Sequence, residues 1–163
     1  MNTETIRLIK PEDNETIAKV IRSILEEHRM NKPGTVYTDP TTDHLYELFR
    51  TPGSSYRIIE VDGKICGGCG IYPTKGLPEG CVELVKLYLI PELRGKGLGR
   101  KLLTLCAEDA KEMGYNSLYL ESMPELNSAV GLYESVGYKK LDQPMGDSGH
   151  FACNLWMLKK LEM

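Results

Sequence analysis

Between residues 82 and 100 an aliphatic run breaks at Pro91, passes through glycines at 95, 97 and 99, and enters a helical pattern. No other stretch constrains the chain as much. Residues 82–90 read as a strand, and the residues from Leu98 onward as a helix. The glycines leave the backbone uncovered, so several N–H groups can converge where a helix start supplies partial positive charge. Arg94, Lys96 and Arg100 add full positive charge around them. Such a turn suits an anion with several oxygens, a di- or triphosphate above all. The plainer alternative is that the glycines only let strand and helix pack closely.

Two common phosphate loops fail against these residues. Nowhere does the chain contain the Gly-x-x-x-x-Gly-Lys-Ser/Thr string of a P-loop. A dinucleotide fingerprint, Gly-x-Gly-x-x-Gly, ends on Arg100 when started at Gly95 and on Leu102 when started at Gly97. What remains is Arg94-x-x-Gly97-x-Gly99 after an aliphatic strand. This resembles the pyrophosphate-binding motif of the GNAT-type N-acetyltransferases, Gln/Arg-x-x-Gly-x-Gly/Ala.

The rest of the chain bears on that resemblance. Its 163 residues are enough for one domain, 1–163, with a substantial core. A net charge of −3 gives no sign of a nucleic-acid binder, so the positive charge at the glycine loop is local. The absence of a long apolar run and of a signal-peptide core predicts a cytoplasmic protein with no membrane partner. Of the five cysteines, Cys66 and Cys69 form a Cys-x-x-Cys pair. No second pair of ligands accompanies it, and residues three apart on a strand should face opposite ways. They are read as core-filling thiols, and no metal is expected.

Taken in order, 5–9 read as a strand. Ile17, Val20, Ile21, Ile24, Leu25 and His28 then fall on one helical stripe. His28 ends that stripe and is read as a half-buried helix-end residue. A polar loop, 31–43, leads to a short helix carrying Leu45, Leu48 and Phe49. Residues 56–61 and 64–72 form a hairpin about Asp62-Gly63, and the second strand is thinned by Gly67, Gly68 and Gly70 as if another element packed closely on it. A helix over 98–113, a strand over 117–123, a helix over 128–136 capped by Asn127, and strands over 138–141 and 151–158 complete the pattern. The expected fold is α+β, a mostly antiparallel mixed sheet of about seven strands with helices on both faces. This order is similar to the GNAT fold over nearly the whole chain.

A second local match lies in the segment 127–138, Asn127-Ser-Ala129-Val-Gly-Leu132-Tyr133-Glu-Ser-Val-Gly137-Tyr138. It resembles the family's Asn-x-x-Ala-x-x-Leu-Tyr-x-x-x-Gly-Phe, with Tyr138 in place of Phe. The resemblance implies acetyl-coenzyme A as co-substrate. Leu87, Tyr88 and Leu89 would offer backbone groups to the pantetheine arm, where strand 82–90 splays from strand 117–123. Arg94, Gly95, Lys96, Gly97, Leu98 and Gly99, with Arg100 nearby, would hold the pyrophosphate. Asn127 would contact the cofactor, and Tyr133 would stand at the sulfur as general acid.

Acetyl transfer to an amine requires a base, because an alkylammonium with a pKa near 10.4 is about three units from losing its proton at neutral pH. Glu83 is the first candidate, on the same strand face as Val85 and Leu87 by the period of two; a solvent-facing residue or an arginine partner is its plainer reading. Glu121 on the neighbouring strand comes second and His150 third. The transition-state oxyanion needs a fixed donor such as the Leu89 N–H. The expected reaction is direct transfer in a ternary complex to a primary amine of a small molecule or peptide. The alternative is a silent acyl-coenzyme A-binding module. Glu27, Asp39, Asp43, Asp142 and Asp147 outweigh Arg29 and Lys32 in the segments expected to admit the acceptor, which favours a small cationic amine. Oligomeric state stays open, a homodimer included.

Overall fold

A computed structural model describes residues 3–122, 129–146 and 154–162. Seven strands form one sheet in the order β1-β2-β3-β4-β5-β7-β6. They are β1 (Glu4–Leu8), β2 (Ser55–Val61), β3 (Lys64–Tyr72), β4 (Cys81–Leu89), β5 (Ser117–Ser122), β6 (Lys139–Leu141) and β7 (Leu155–Lys160). Each neighbouring pair is antiparallel except β4 and β5. The helices are α1 (Asn14–Glu27), α2 (Leu45–Leu48), α3 (Leu98–Glu112) and α4 (Val130–Ser135). The expected α+β sheet is therefore present. The loop after α1 holds more structure than expected, two 3-10 turns at Val36–Thr38 and Pro40–His44.

Two apolar clusters cover the two faces of the sheet. Leu98, Leu102, Cys106 and Ala110 of α3 pack on Ile59, Ile71, Val82, Leu84 and Leu118, joined by Tyr133 of α4. Ile17, Ile21, Ile24 and Leu25 of α1 pack with Leu45, Phe49, Tyr56, Ile58 and Tyr88 on the opposite face. The stripe read from the α1 sequence is thus the buried one. Arg29 ends α1 by turning left-handed, φ 58°, while the Met30 N–H returns 2.7 Å to the Leu25 carbonyl.

Two bulges break the alternation that the sequence suggests. Between β2 and β3, Ile59 faces Gly67 and Glu60 faces Ile65, so Cys66 is an extra residue. Cys66 and Cys69 consequently enter the same α3-side cluster rather than opposite faces. Both are buried free thiols, as core filling requires, and burial pushes both thiol pKa values up.

The second bulge is on β4. Gly68 faces Tyr88 and Gly70 faces Val85, leaving Lys86 and Leu87 opposite the single residue Cys69. Lys86 takes a left-handed backbone, φ 56°. Glu83 and Val85 line the α2 side, but beyond the bulge Leu87 and Leu89 pack toward the α3 cluster. The expectation that Glu83, Val85 and Leu87 share one face holds only for the first two. The glycines of β3 explain how the bulge is held. A Cβ at Gly68 or Gly70 would fall 2.5 and 2.6 Å from the Tyr56 ring, so the ring lies across bare backbone. From there the Tyr56 hydroxyl donates to the Lys86 carbonyl at 2.8 Å.

Candidate active site

The parallel pairing of β4 with β5 ends at Glu83 opposite Tyr119. β5 runs on to Ser122 paired with β7, and among the described residues no strand pairs with the second half of β4 on that side. A cleft of about 390 Å³ occupies this gap. Its walls are Leu87–Leu89, the glycine loop, Ile24 and His28 at the end of α1, and Ala129, Leu132 and Tyr133 around α4.

Main-chain geometry gives the cleft its polar groups. The Ile90 N–H donates to the Cys66 carbonyl at 3.0 Å, which makes 66 and 90 a hydrogen-bonded pair. In an antiparallel ladder such pairs alternate with non-bonded ones, so Leu89, opposite Gly67, directs its N–H and C=O away from β3. Its carbonyl indeed accepts from Arg94 Nε at 3.1 Å, on the side where β5 is missing. The glycine loop is open as well. Among the described residues, a Cβ at Gly95 or Gly97 would meet no atom within 4 Å beyond its chain neighbours, so close packing does not explain these two glycines. Gly97, at φ 79°, sits at the start of α3 in a conformation that favours glycine.

Leu87, Tyr88, Leu89, Arg94, Gly95, Gly97, Gly99, Arg100 and Tyr133 all border the cleft. Lys96 is exposed, and the Leu98 side chain lies in the core. Asn127, His150 and Asp147 fall outside the described residues. Arg94 and Arg100 have protein partners. Arg94 forms a two-pronged ion pair with Glu27 at 2.7 and 2.9 Å, and Arg100 donates to Ser135 Oγ at 2.9 Å. Arg94 draws the Glu27 carboxyl pKa down. Tyr133 is buried, edge-on to Tyr138 with ring centroids 5.9 Å apart, and burial pushes its phenol pKa up. It stays protonated at neutral pH, the state a general acid needs.

A second cavity, of about 280 Å³, lies where the first half of β4 meets α2. Glu83 lines it, 3% exposed, and accepts a hydrogen bond from Thr74 Oγ1. Burial drives its carboxyl up to about 7; the Thr74 bond opposes this and the charge of Glu121 adds to it. The solvent-facing and arginine-paired readings of Glu83 therefore fail. Glu121 is placed differently, accepting from the Tyr119 hydroxyl at 2.7 Å, while the Met145 N–H reaches that hydroxyl at 3.0 Å. Among the described residues Glu121 borders neither cavity. Lys86 and Asp39 also line the second cavity, and sequence reasoning missed Lys86 because only the bulge turns it there.

A parallel pair of strands that splays beside a glycine loop at a helix start is the arrangement expected of the GNAT fold. Residues 21–138 match the Acetyltransferase (GNAT) family, and the chain belongs to it. It is 38% identical over 157 residues to the Escherichia coli protein described as uncharacterized N-acetyltransferase YjgM, covering 96% of this chain and 94% of that one. A GNAT-family acetyltransferase structure from Staphylococcus aureus superposes with TM-score 0.87 at 19% identity, over 98% of this chain and all of the other. The yncA structure from Salmonella typhimurium, a putative acetyltransferase with its cofactor acetyl-CoA, superposes with TM-score 0.76 at 20% identity, over 98% of this chain and 94% of that one.

Proposed function

We propose that the enzyme transfers an acetyl group from acetyl-coenzyme A directly to the amine of a small molecule, with the thioester in the β4–α4 cleft and the amine in the Glu83 cavity. The observation that carries this reading is the position of Glu83. A buried carboxyl with a pKa of about 7 lies on the strand that also walls the cleft, three residues before the bulge that separates the two spaces.

Two elements of the cleft fit the co-substrate. The open glycine loop at the start of α3 offers main-chain donors to a pyrophosphate, and the outward groups of Leu87–Leu89 offer a strand edge to the amide-rich arm. The coenzyme contributes an activated carbonyl and a fair leaving group, since a thiol pKa is near 8.5.

Glu83 takes the first proton from the acceptor ammonium. Removing it at neutral pH costs about 4 kcal/mol for an ordinary alkylamine, and a base of pKa near 7 has the right strength to share that cost. The freed nitrogen bonds to the acetyl carbon as the carbonyl π electrons move onto oxygen, where the Leu89 N–H donates. Collapse breaks the C–S bond. Tyr133 protonates the departing sulfur and is itself reprotonated. Of the two protons the nitrogen sheds, one ends on the thiol and the other leaves to solvent.

A thiol-release assay with acetyl-coenzyme A and a panel of amino acids, polyamines, aminoglycosides and lysine peptides tests the reaction. Acetyl-coenzyme A-dependent release on at least one amine, lowered in Tyr133→Phe by about tenfold at unchanged coenzyme affinity, is the expected result. Coenzyme binding without release on any of these amines would leave only a binding module.

A further inference from the structure

The charges around the acceptor cavity differ from those counted along the sequence. Two of the carboxylates that favoured a small cationic amine are already neutralised: Glu27 by Arg94, and Asp43 by Arg22 at 2.5 and 2.9 Å. Asp39 lines the cavity, but its Oδ1 accepts from the Thr41 N–H at 2.9 Å and the Thr41 hydroxyl at 2.7 Å, which ties it to its own turn. Against these stand two lysines on the wall, Lys75 and Lys86.

Lys86 is the unusual one. A left-handed conformation strains a residue with a Cβ, and glycine would adopt it without that strain. The side chain is what this position gains in exchange. Among the described residues, no hydrogen bond and no ion pair within 4.0 Å holds its ammonium, and no unpartnered atom of it is sealed from the cavity. Burial pushes the ammonium pKa down, while Asp39 and Glu83 pull it up from a distance. A half-buried cation without a direct partner is disfavoured, and an arriving anion offsets that cost.

Backbone contacts make the placement firm. The Tyr56 hydroxyl pins the Lys86 carbonyl, so the lysine is aimed by the sheet rather than by a loop. Glu83, three residues earlier, opens on the same space. At about 280 Å³ the cavity is at the small end for ligand sites, too small for a folded surface.

Resting on the acetyl-transfer reading above, we infer that the acceptor is a small amine that also carries a carboxylate, an α-amino acid or a molecule built like one. Its ammonium faces Glu83 and its carboxylate is held by Lys86. Lys86 thus selects the substrate and does not take part in proton transfer.

The test pairs each amino acid with its decarboxylated amine: methionine with 3-(methylthio)propylamine, phenylalanine with phenethylamine, lysine with cadaverine. Thiol release gives kcat and KM, and calorimetry on coenzyme A-saturated protein gives acceptor binding without transfer. At least one amino acid should exceed its amine by about tenfold or more in kcat/KM, the scale of one charge-assisted contact. Lys86→Met should raise KM for that amino acid by about the same factor and collapse the ratio. The variant should melt no lower than the parent, because it removes a desolvated charge.

A ratio unchanged in Lys86→Met, or amines that outperform every amino acid, overturns the inference while leaving acetyl transfer standing. Amino-acid binding that Lys86→Met abolishes, with no thiol release on any acceptor, upholds the inference and counts against transfer. No binding of any amino acid overturns it outright.

Discussion

In the cleft beside α3 the groups offered to a ligand are mainly backbone: the Leu89 N–H, the open loop at Gly95 and Gly97, and the first turn of α3. In the cavity under α2 they are side chains from separate parts of the chain, Asp39 before α2, Thr74 after β3, and Glu83 and Lys86 on β4. Arg94 and Arg100 at the cleft are engaged by protein partners, Glu27 and Ser135. Charges in the cavity are partly buried and shifted, Glu83 upward and Lys86 downward. A backbone site can serve one invariant ligand and leaves a local signature. A side-chain site can be retuned by single substitutions, which suits the part of an acetyltransferase that chooses its acceptor.

This contrast can be broken by substitution, and the largest effect belongs to the cavity. Glu83 has a folded pKa of about 7 against an ordinary 4.5, so between those values the folded state holds a proton the unfolded chain has lost. Stability tied to this group is full below pH 4.5 and is lost as pH rises through 7. Glu83→Gln should therefore match the parent near pH 4.5 and exceed it by up to about 3 kcal/mol above pH 7, read by urea unfolding. A gain that does not grow with pH would show that Glu83 is not strained by burial.

The cleft should respond in the opposite sense. Gly97→Val forces a β-branched residue to φ near 79°, which costs about 1–2 kcal/mol and re-aims the loop N–H groups. Affinity for coenzyme A, measured by calorimetry, should fall about tenfold. Unchanged affinity would mean that the loop does not hold the ligand through its backbone.

The smallest effect falls on the joint between the two spaces. Tyr56→Phe removes the hydroxyl that holds the Lys86 carbonyl and should cost about 1 kcal/mol of stability, with a few-fold loss of kcat/KM carried mostly by acceptor KM. A loss carried by coenzyme affinity instead would place the joint in the wrong half.

The same contrast explains what could be read before folding. Arg94, Gly97 and Gly99 lie within six residues, and Ala129, Leu132 and Tyr133 within five, so these walls of the cleft were visible as two short motifs. The Asp62-Gly63 hairpin was legible for a similar reason, both residues having positive φ, 53° and 81°. The bulges were not. Nothing local announces that Cys66 or Lys86 interrupts a strand; the interruption follows from Tyr56 crossing the bare backbone of Gly68 and Gly70 to reach β4. A period of two carried past that point put Leu87 on the wrong face and hid Lys86. The ion pairs Glu27–Arg94 and Arg22–Asp43 join residues 67 and 21 apart in sequence, so a count of charges taken along the chain does not see which of them are paired.

The proposed transfer depends most on Glu83 acting as the base, in a cavity beside the bulge of β4. Its direct test is the pH dependence of kcat/KM in the parent and in Glu83→Gln, with the same acceptor. The parent should lose activity on the acid side with an inflection near 7, and the variant should lose that inflection together with about 10²- to 10⁴-fold in rate. Superimposable profiles would contradict the assignment.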